Sequence, residues 1–119
     1  MKINFKEEVL KRKDDLISDL QKLIQINSEL TTFDPERKGA PFGEGTKEAL
    51  DLMLAIGQRD GFSTVNLEGY AGHIEYGKQQ DFVGIIGHLD VVPAGNDWTY
   101  PPYGGLVFWD CPSQKSINY

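Results

Sequence analysis

Two side chains that could do chemistry, His88 and Asp90, stand two positions apart in the sequence. In an extended segment, side chains at this spacing project from the same face, so both could reach one site. A neutral imidazole is a good zinc ligand, and a carboxylate beside a ligand histidine can orient it or a neighbouring catalytic group. Spacing alone favours a plainer alternative, in which His88 ends a strand and Asp90 caps the turn before Pro93.

A continuous apolar run, residues 82–87 with the sequence FVGIIG, comes immediately before this pair. Such a run is typical of a strand buried on both faces, as in a sheet covered by helices. Ligand sites in open α/β sheets lie beyond the carboxyl ends of the strands, which is where the pair falls. We therefore predict that this strand carries the pair, and that Pro93, Gly95 and the loop over 98–105 shape the mouth of the site.

Two helices are predicted upstream, with a long loop between them. Apolar residues at steps of three, four and seven predict an amphipathic helix over residues 4–24, with Asn4 as its N-cap. Clustered Gly, Pro and Asn predict a loop over 26–45. A second apolar face predicts a helix over 46–59, and Gly61 is a natural residue to follow its end.

Two short strands are predicted over residues 62–67 and 71–76, separated by a turn that contains glycine. His73 alternates with the apolar Ile74, so we expect it to be structural or solvated rather than a metal ligand. The order helix, helix, strand, strand, strand predicts an α/β domain. We expect two helices packed on a mixed sheet, with the strand over 82–87 the most buried.

Composition limits the class of protein. A chain of 119 residues has room for one domain, and a net charge of -6 argues against nucleic-acid or anionic-membrane partners. No apolar run reaches transmembrane length, and the first residues lack the apolar region of a secretory signal. A single cysteine, Cys111, cannot form an internal disulfide, so a cytoplasmic location is expected. A serine- or cysteine-hydrolase is disfavoured because no Gly-x-Ser-x-Gly elbow is present.

The surroundings of the pair resemble a known signature. Residues 87–95, GHLDVVPAG, followed by Trp98 and by PPYGG at 101–105, closely resemble a motif of the aminoacylase/carnosinase family of co-catalytic zinc peptidases. Four further segments are similar to the PepV-type bacterial dipeptidases within that family: residues 23–28, 40–45, 59–62 and 70–77.

The resemblance implies a fold and a reaction. Residues 1–107 would be the N-terminal part of a zinc-peptidase catalytic domain. Such enzymes hold two metal ions, usually Zn²⁺ and in some members Mn²⁺, and a metal-activated water attacks the peptide bond of a dipeptide. By position, His88 matches the ligand of one metal, and Asp90 matches the catalytic acid that orients that centre without binding the metal directly.

The resemblance ends after Val107, and residues 108–119 are unlike the family. The bridging carboxylate, the general base and the later ligands of the family do not follow. We therefore expect that this chain alone is inactive, and that a frameshift or early stop cut a longer dipeptidase gene. The alternative is a non-catalytic α/β module that binds a partner through its aromatic side chains, which are Trp98, Tyr100, Tyr103, Phe108 and Trp109.

Overall fold

The computed structural model describes residues 3–108, which form three helices and a two-stranded antiparallel sheet. This is a small mixed α/β arrangement, as the element order predicts. The predictions for Trp109, Cys111 and the rest of the tail concern residues outside this range. Within residues 3–108, no helix combines the length and the apolar character needed to cross a bilayer.

The predicted first helix is two helices, α1 (Phe5–Lys11) and α2 (Lys13–Ile24). Asn4 caps α1 as expected, because its side chain accepts from the backbone N–H of Glu7. In an unbroken helix the backbone N–H of Arg12 would donate to the carbonyl of Glu8. Instead, the Arg12 guanidinium donates to that carbonyl at 3.0 Å, and the Arg12 backbone N–H donates to Val9 at 3.0 Å. This local exchange of partners breaks the helix.

The third helix, α3 (Glu44–Arg59), begins two residues before the predicted start and ends where predicted. Gly61 has φ +85°, the left-handed conformation that ends many helices. The backbone N–H of Gly61 donates to Gln58, and that of Phe62 donates to Gly57, both at 3.0 Å. These two bonds form a Schellman motif, and they direct the chain straight into the first strand.

The two predicted strands are observed as β1 (Ser63–Leu67) and β2 (Ala71–Glu75), and they pair as an antiparallel hairpin, with Leu67 opposite Ala71 and Ser63 opposite Glu75. The turn between them places Glu68 at φ +55° and Gly69 at φ +80°. Positive φ at both central positions gives the twist that a tight hairpin requires.

One face of the hairpin is covered by α3. A Cβ built on Gly57 of the helix would lie 2.9 Å from Ile74, and one built on Gly72 would lie 3.0 Å from Leu54. Gln58 also donates to the Thr64 hydroxyl at 2.8 Å. The two glycines therefore allow the helix and the sheet to approach closely.

The expectation that both predicted helices cover the sheet is wrong. Within residues 3–108, α2 packs against α3 and reaches neither strand. Arg59 of α3 and Asp19 of α2 form an ion pair at 2.9 Å. Hydrogen bonds from Lys22 and from Arg59 hold the pKa of Asp19 below its usual value. The opposite face of the hairpin, with Val65 and Leu67, is open to solvent.

The prediction of a buried third strand over 82–87 is also wrong. These residues belong to no sheet of the described structure. Their apolar side chains are almost fully exposed, at 88% for Phe82, 93% for Val83, 95% for Ile85 and 99% for Ile86. The described residues provide neither a neighbouring strand nor a covering helix for this run, so its composition alone cannot bury it.

Candidate functional site

His88 and Asp90 lie side by side, as their spacing predicts. The imidazole Nδ1 is 3.3 Å from a carboxylate oxygen of Asp90 and 3.0 Å from its backbone carbonyl oxygen. Both side chains are open to solvent, with 83% of His88 and 51% of Asp90 exposed. A carboxylate at Nδ1 favours a proton on that nitrogen, which leaves Nε2 as the lone-pair donor of a neutral ring.

A buried serine, Ser28, forms hydrogen bonds with the backbone around His88 and Asp90. Ser28 is 1% exposed, and its hydroxyl donates to the carbonyl of Leu89 at 2.8 Å. Its own carbonyl accepts from the backbone N–H of Val91 at 3.3 Å, and Glu29 forms a parallel bridge with Val91. The residues that follow α2 therefore anchor the segment from 89 to 91.

The loop that follows the pair is anchored on α2 and on Glu29. Gln21 donates to the carbonyl of Gly105 at 2.7 Å. One carboxylate oxygen of Glu29 accepts from the backbone N–H of Ala94 at 3.2 Å and from the Tyr103 hydroxyl. The bond to Glu29, then burial, then the negative charge of Glu29 raise the pKa of Tyr103. These contacts fix both ends of the loop that was predicted to shape the mouth of the site.

An open groove of about 410 Å³ runs beside the pair. His88, Asp90, Phe42 and Tyr70 all line it, and the ring centroids of Phe42 and Tyr70 are 5.7 Å apart. Phe33 completes a cluster of three rings. Phe42 belongs to the segment 40–45 that resembles dipeptidases, so this end of the predicted loop lines the groove.

Among residues 3–108, few possible metal ligands lie around the pair. Within residues 3–108, no group of three or more His, Cys, Asp or Glu side chains is arranged to hold a metal. A catalytic zinc site needs three protein ligands and a structural one needs four. The pair alone does not reach that number, and His73 lies opposite Val65 on the face of the hairpin turned away from α3.

Three aromatic side chains of the alternative interpretation, Trp98, Tyr100 and Phe108, line a second cavity of about 570 Å³. The rings of Tyr100 and Phe108 are 4.8 Å apart, and the indole N–H of Trp98 donates to the carbonyl of Ala94 at 2.7 Å. Tyr103 points instead to Glu29. A partner for this surface stays a prediction, and Trp109 lies outside the described residues.

Sequence reasoning missed the anchoring residues Ser28, Glu29 and Gln21. The segment 23–28 was singled out by its resemblance to dipeptidases, but no role was assigned to Ser28. Its contact with Leu89 spans 61 positions and that of Gln21 with Gly105 spans 84. The one local signal was that Ser28 and Glu29 lie four and five residues beyond the end of an amphipathic helix.

Curated relatives of the chain are named as dipeptidases, whereas no protein-family model matches it. It is 46% identical over 107 residues to "Putative dipeptidase YtjP" of Bacillus subtilis, covering 88% of this chain and 22% of the relative. It is 41% identical over 103 residues to "Beta-Ala-Xaa dipeptidase" of Lactobacillus delbrueckii subsp. lactis, covering 87% of this chain and 22% of the relative. The chain is thus similar to about one fifth of the length of proteins that are named dipeptidases.

Proposed function

We propose that this chain is part of a metal-dependent dipeptidase, in which His88 is a metal ligand and Asp90 orients the metal centre. The observation that carries the proposal is the exposed contact between imidazole and carboxylate, 3.3 Å long, within a segment that matches dipeptidases. The substrate class is a dipeptide, and the name of the Lactobacillus relative points to β-alanyl dipeptides.

The contribution of the chain is to present one ligand nitrogen in a fixed direction. Asp90 engages Nδ1, and the opposite ring nitrogen of His88 is turned away from the carboxylate. Zinc is the proposed metal, with manganese as the second choice. Among residues 3–108, His88 is the one proposed ligand, which is fewer than a zinc site requires, so the proposed activity belongs to a longer protein with further ligands. The 119-residue chain by itself is not expected to hydrolyse dipeptides.

A chimeric enzyme tests the proposal. Residues 1–107 of this chain would replace the matching segment of the Lactobacillus dipeptidase. We expect the chimera to hydrolyse a β-alanyl dipeptide and to lose that activity when a chelator removes its metal. Because loss of a ligand should exceed the 10–100-fold cost of losing a partner that supports one, His88→Ala should lower kcat/KM more than about 100-fold. Asp90→Asn should cost about 10–100-fold.

His73→Ala is the matched control, since it removes the other histidine of the chain without touching the pair. It should leave kcat/KM unchanged. An active chimera that tolerates His88→Ala as well as it tolerates His73→Ala would refute the assigned roles. Turnover by the purified 119-residue chain would refute its proposed dependence on further ligands.

A further inference from the structure

We propose that Ser28 is the positioning residue of the pair formed by His88 and Asp90. It touches neither side chain. Its hydroxyl binds the carbonyl of Leu89, the residue between them, and this bond fixes which way the two side chains project. The functional importance of this role rests on the proposed function, whereas the geometry it predicts can be measured without any enzymatic activity.

The first step is that the donor has a buried and well-defined place. Ser28 is 1% exposed, and its backbone N–H donates to Ile26 at 2.9 Å, just beyond the end of α2. The preceding residue, Asn27, packs its carbonyl against Gly45 of α3. Ser28 is therefore held between two helices before it makes any contact with the site.

The second step is that Ser28 forms its hydrogen bonds with Leu89 and Val91, the residues on either side of Asp90. The Ser28 hydroxyl donates to Leu89 at 2.8 Å, and the Ser28 carbonyl accepts from Val91 at 3.3 Å. Successive side chains of an extended segment alternate in direction. Fixing the peptide groups at 89 and 91 therefore turns His88 and Asp90 toward the same side.

The third step is that little else in the described structure restrains these residues. The segment over 82–87 belongs to no sheet and is exposed, so it does not hold His88 from the N-terminal side. The His88 side chain is 83% exposed, and its polar contacts are with the carboxylate and the backbone carbonyl of Asp90. Without the hydrogen bonds of Ser28, the imidazole and the carboxylate would sample separate directions.

Nitrogen-15 NMR of the full 119-residue chain tests this proposal through the tautomer of His88. At a pH where the imidazole is neutral, the contact with Asp90 favours a proton on Nδ1, whereas a free ring favours Nε2. We expect an excess of the Nδ1–H form at His88 and not at His73. Ser28→Ala should lower the ratio of the two forms at His88 by about twofold to fivefold, the effect of weakening one hydrogen bond.

Two further variants separate positioning from general loss of structure. Ser28→Cys keeps a weak donor at similar volume, so it should give a ratio between those of the native chain and Ser28→Ala. Thr31→Val removes a similar hydroxyl-to-carbonyl bond, to Phe42 at 2.8 Å, and should leave the His88 tautomer unchanged.

Several outcomes would overturn the proposal. The first is a native His88 with the tautomer ratio of His73, and the second is an unchanged ratio in folded Ser28→Ala. The third is a change in the His88 tautomer ratio that is as large in Thr31→Val as in Ser28→Ala. The fourth is unfolding of both Ser28 variants, which would assign Ser28 a role in folding and not in positioning. Because no substrate is involved, an inactive chimera would count against the proposed function without affecting this measurement.

Discussion

Gly45 is the glycine at which an added methyl group would make the closest steric clash. A Cβ built there would lie 1.8 Å from the backbone carbonyl oxygen of Asn27, far inside contact distance. Alanine is worth about 1 kcal/mol more than glycine within a helix, but overpacking against rigid backbone costs roughly 1–3 kcal/mol or more. We expect the clash to dominate, so Gly45→Ala should lower the free energy of unfolding, measured by urea denaturation.

Gly87→Ala is the control for this substitution, because nothing lies within 4 Å of a Cβ built at Gly87. It should leave the urea midpoint nearly unchanged. A Gly45→Ala chain as stable as Gly87→Ala would show that α3 and the Asn27 turn can separate at no cost. It would also weaken the claim that Ser28, the next residue, is rigidly placed.

Tyr103 and Glu29 give the site loop a dependence on alkaline pH. The bond to Glu29 raises the pKa of Tyr103 above its ordinary value of about 10. A raised pKa in the folded state means that the stabilisation is complete below that ordinary value. It is lost as the pH rises through the raised pKa. When ionisation of the tyrosines is followed by ultraviolet absorbance, we expect one of them to ionise at a higher pH than the others. Tyr103→Phe should remove this late ionisation.

Glu29→Gln tests the cause of that shift. The amide keeps an acceptor oxygen and removes the negative charge, so the pKa of Tyr103 should move back toward about 10. Tyr100→Phe should leave the late ionisation in place. A late ionisation that persists unchanged in Glu29→Gln would assign the shift to burial and not to the carboxylate.

The side-by-side arrangement of His88 and Asp90 could be predicted from sequence, because two-residue periodicity is a local property of an extended chain. The role of Ser28 could not, because its partner is 61 positions away and a serine after a helix has many possible acceptors. Contacts between residues that are close in the sequence could therefore be predicted. Contacts between residues that are close only in the folded structure could not.

Among the secondary-structure elements, ends with local signals were predictable. Asn4 caps α1, and Gly61 ends α3 in the expected left-handed conformation. The break at Arg12 depends on a side chain that competes for the carbonyl of Glu8, and apolar periodicity carries no information about such competition. The two strands of the hairpin and the turn between them were predicted because their signals are contiguous in the sequence.

The segment over 82–87 failed as a buried strand because burial needs a partner. It carries strand-forming residues and no charge, and it pairs with no strand of the described structure, so its backbone is available to pair with another chain. We expect the isolated 119-residue chain to self-associate as its concentration rises. Ile85→Lys should reduce this association, as measured by size-exclusion chromatography with light scattering.

Gln80→Lys is the matched control, because it adds the same charge to the exposed turn just outside the segment. It should associate as the native chain does. Equal suppression by both lysines would assign the effect to net charge. A native chain that stays monomeric at every accessible concentration would show that the exposed segment over 82–87 does not drive self-association.

For the whole molecule, the balance of free energies indicates an incomplete core. Burying one large apolar side chain contributes roughly 1.5–3 kcal/mol, so the four that are exposed over 82–87 represent roughly 6–12 kcal/mol. A typical domain is stable by only about 5–15 kcal/mol in total. This comparison agrees with a chain that spans 22% of the length of its dipeptidase relatives.

The anchors of the site loop all come from the early part of the sequence, since Gln21, Ser28 and Glu29 hold residues 61 to 84 positions further on. A ribosome adds about 5–20 residues per second, so these anchors emerge roughly 3–17 s before the residues they hold. The helix that receives the loop is thus already made when the histidine and aspartate leave the exit tunnel. During synthesis, His88 and Asp90 therefore emerge after the segment whose side chains contact their neighbours.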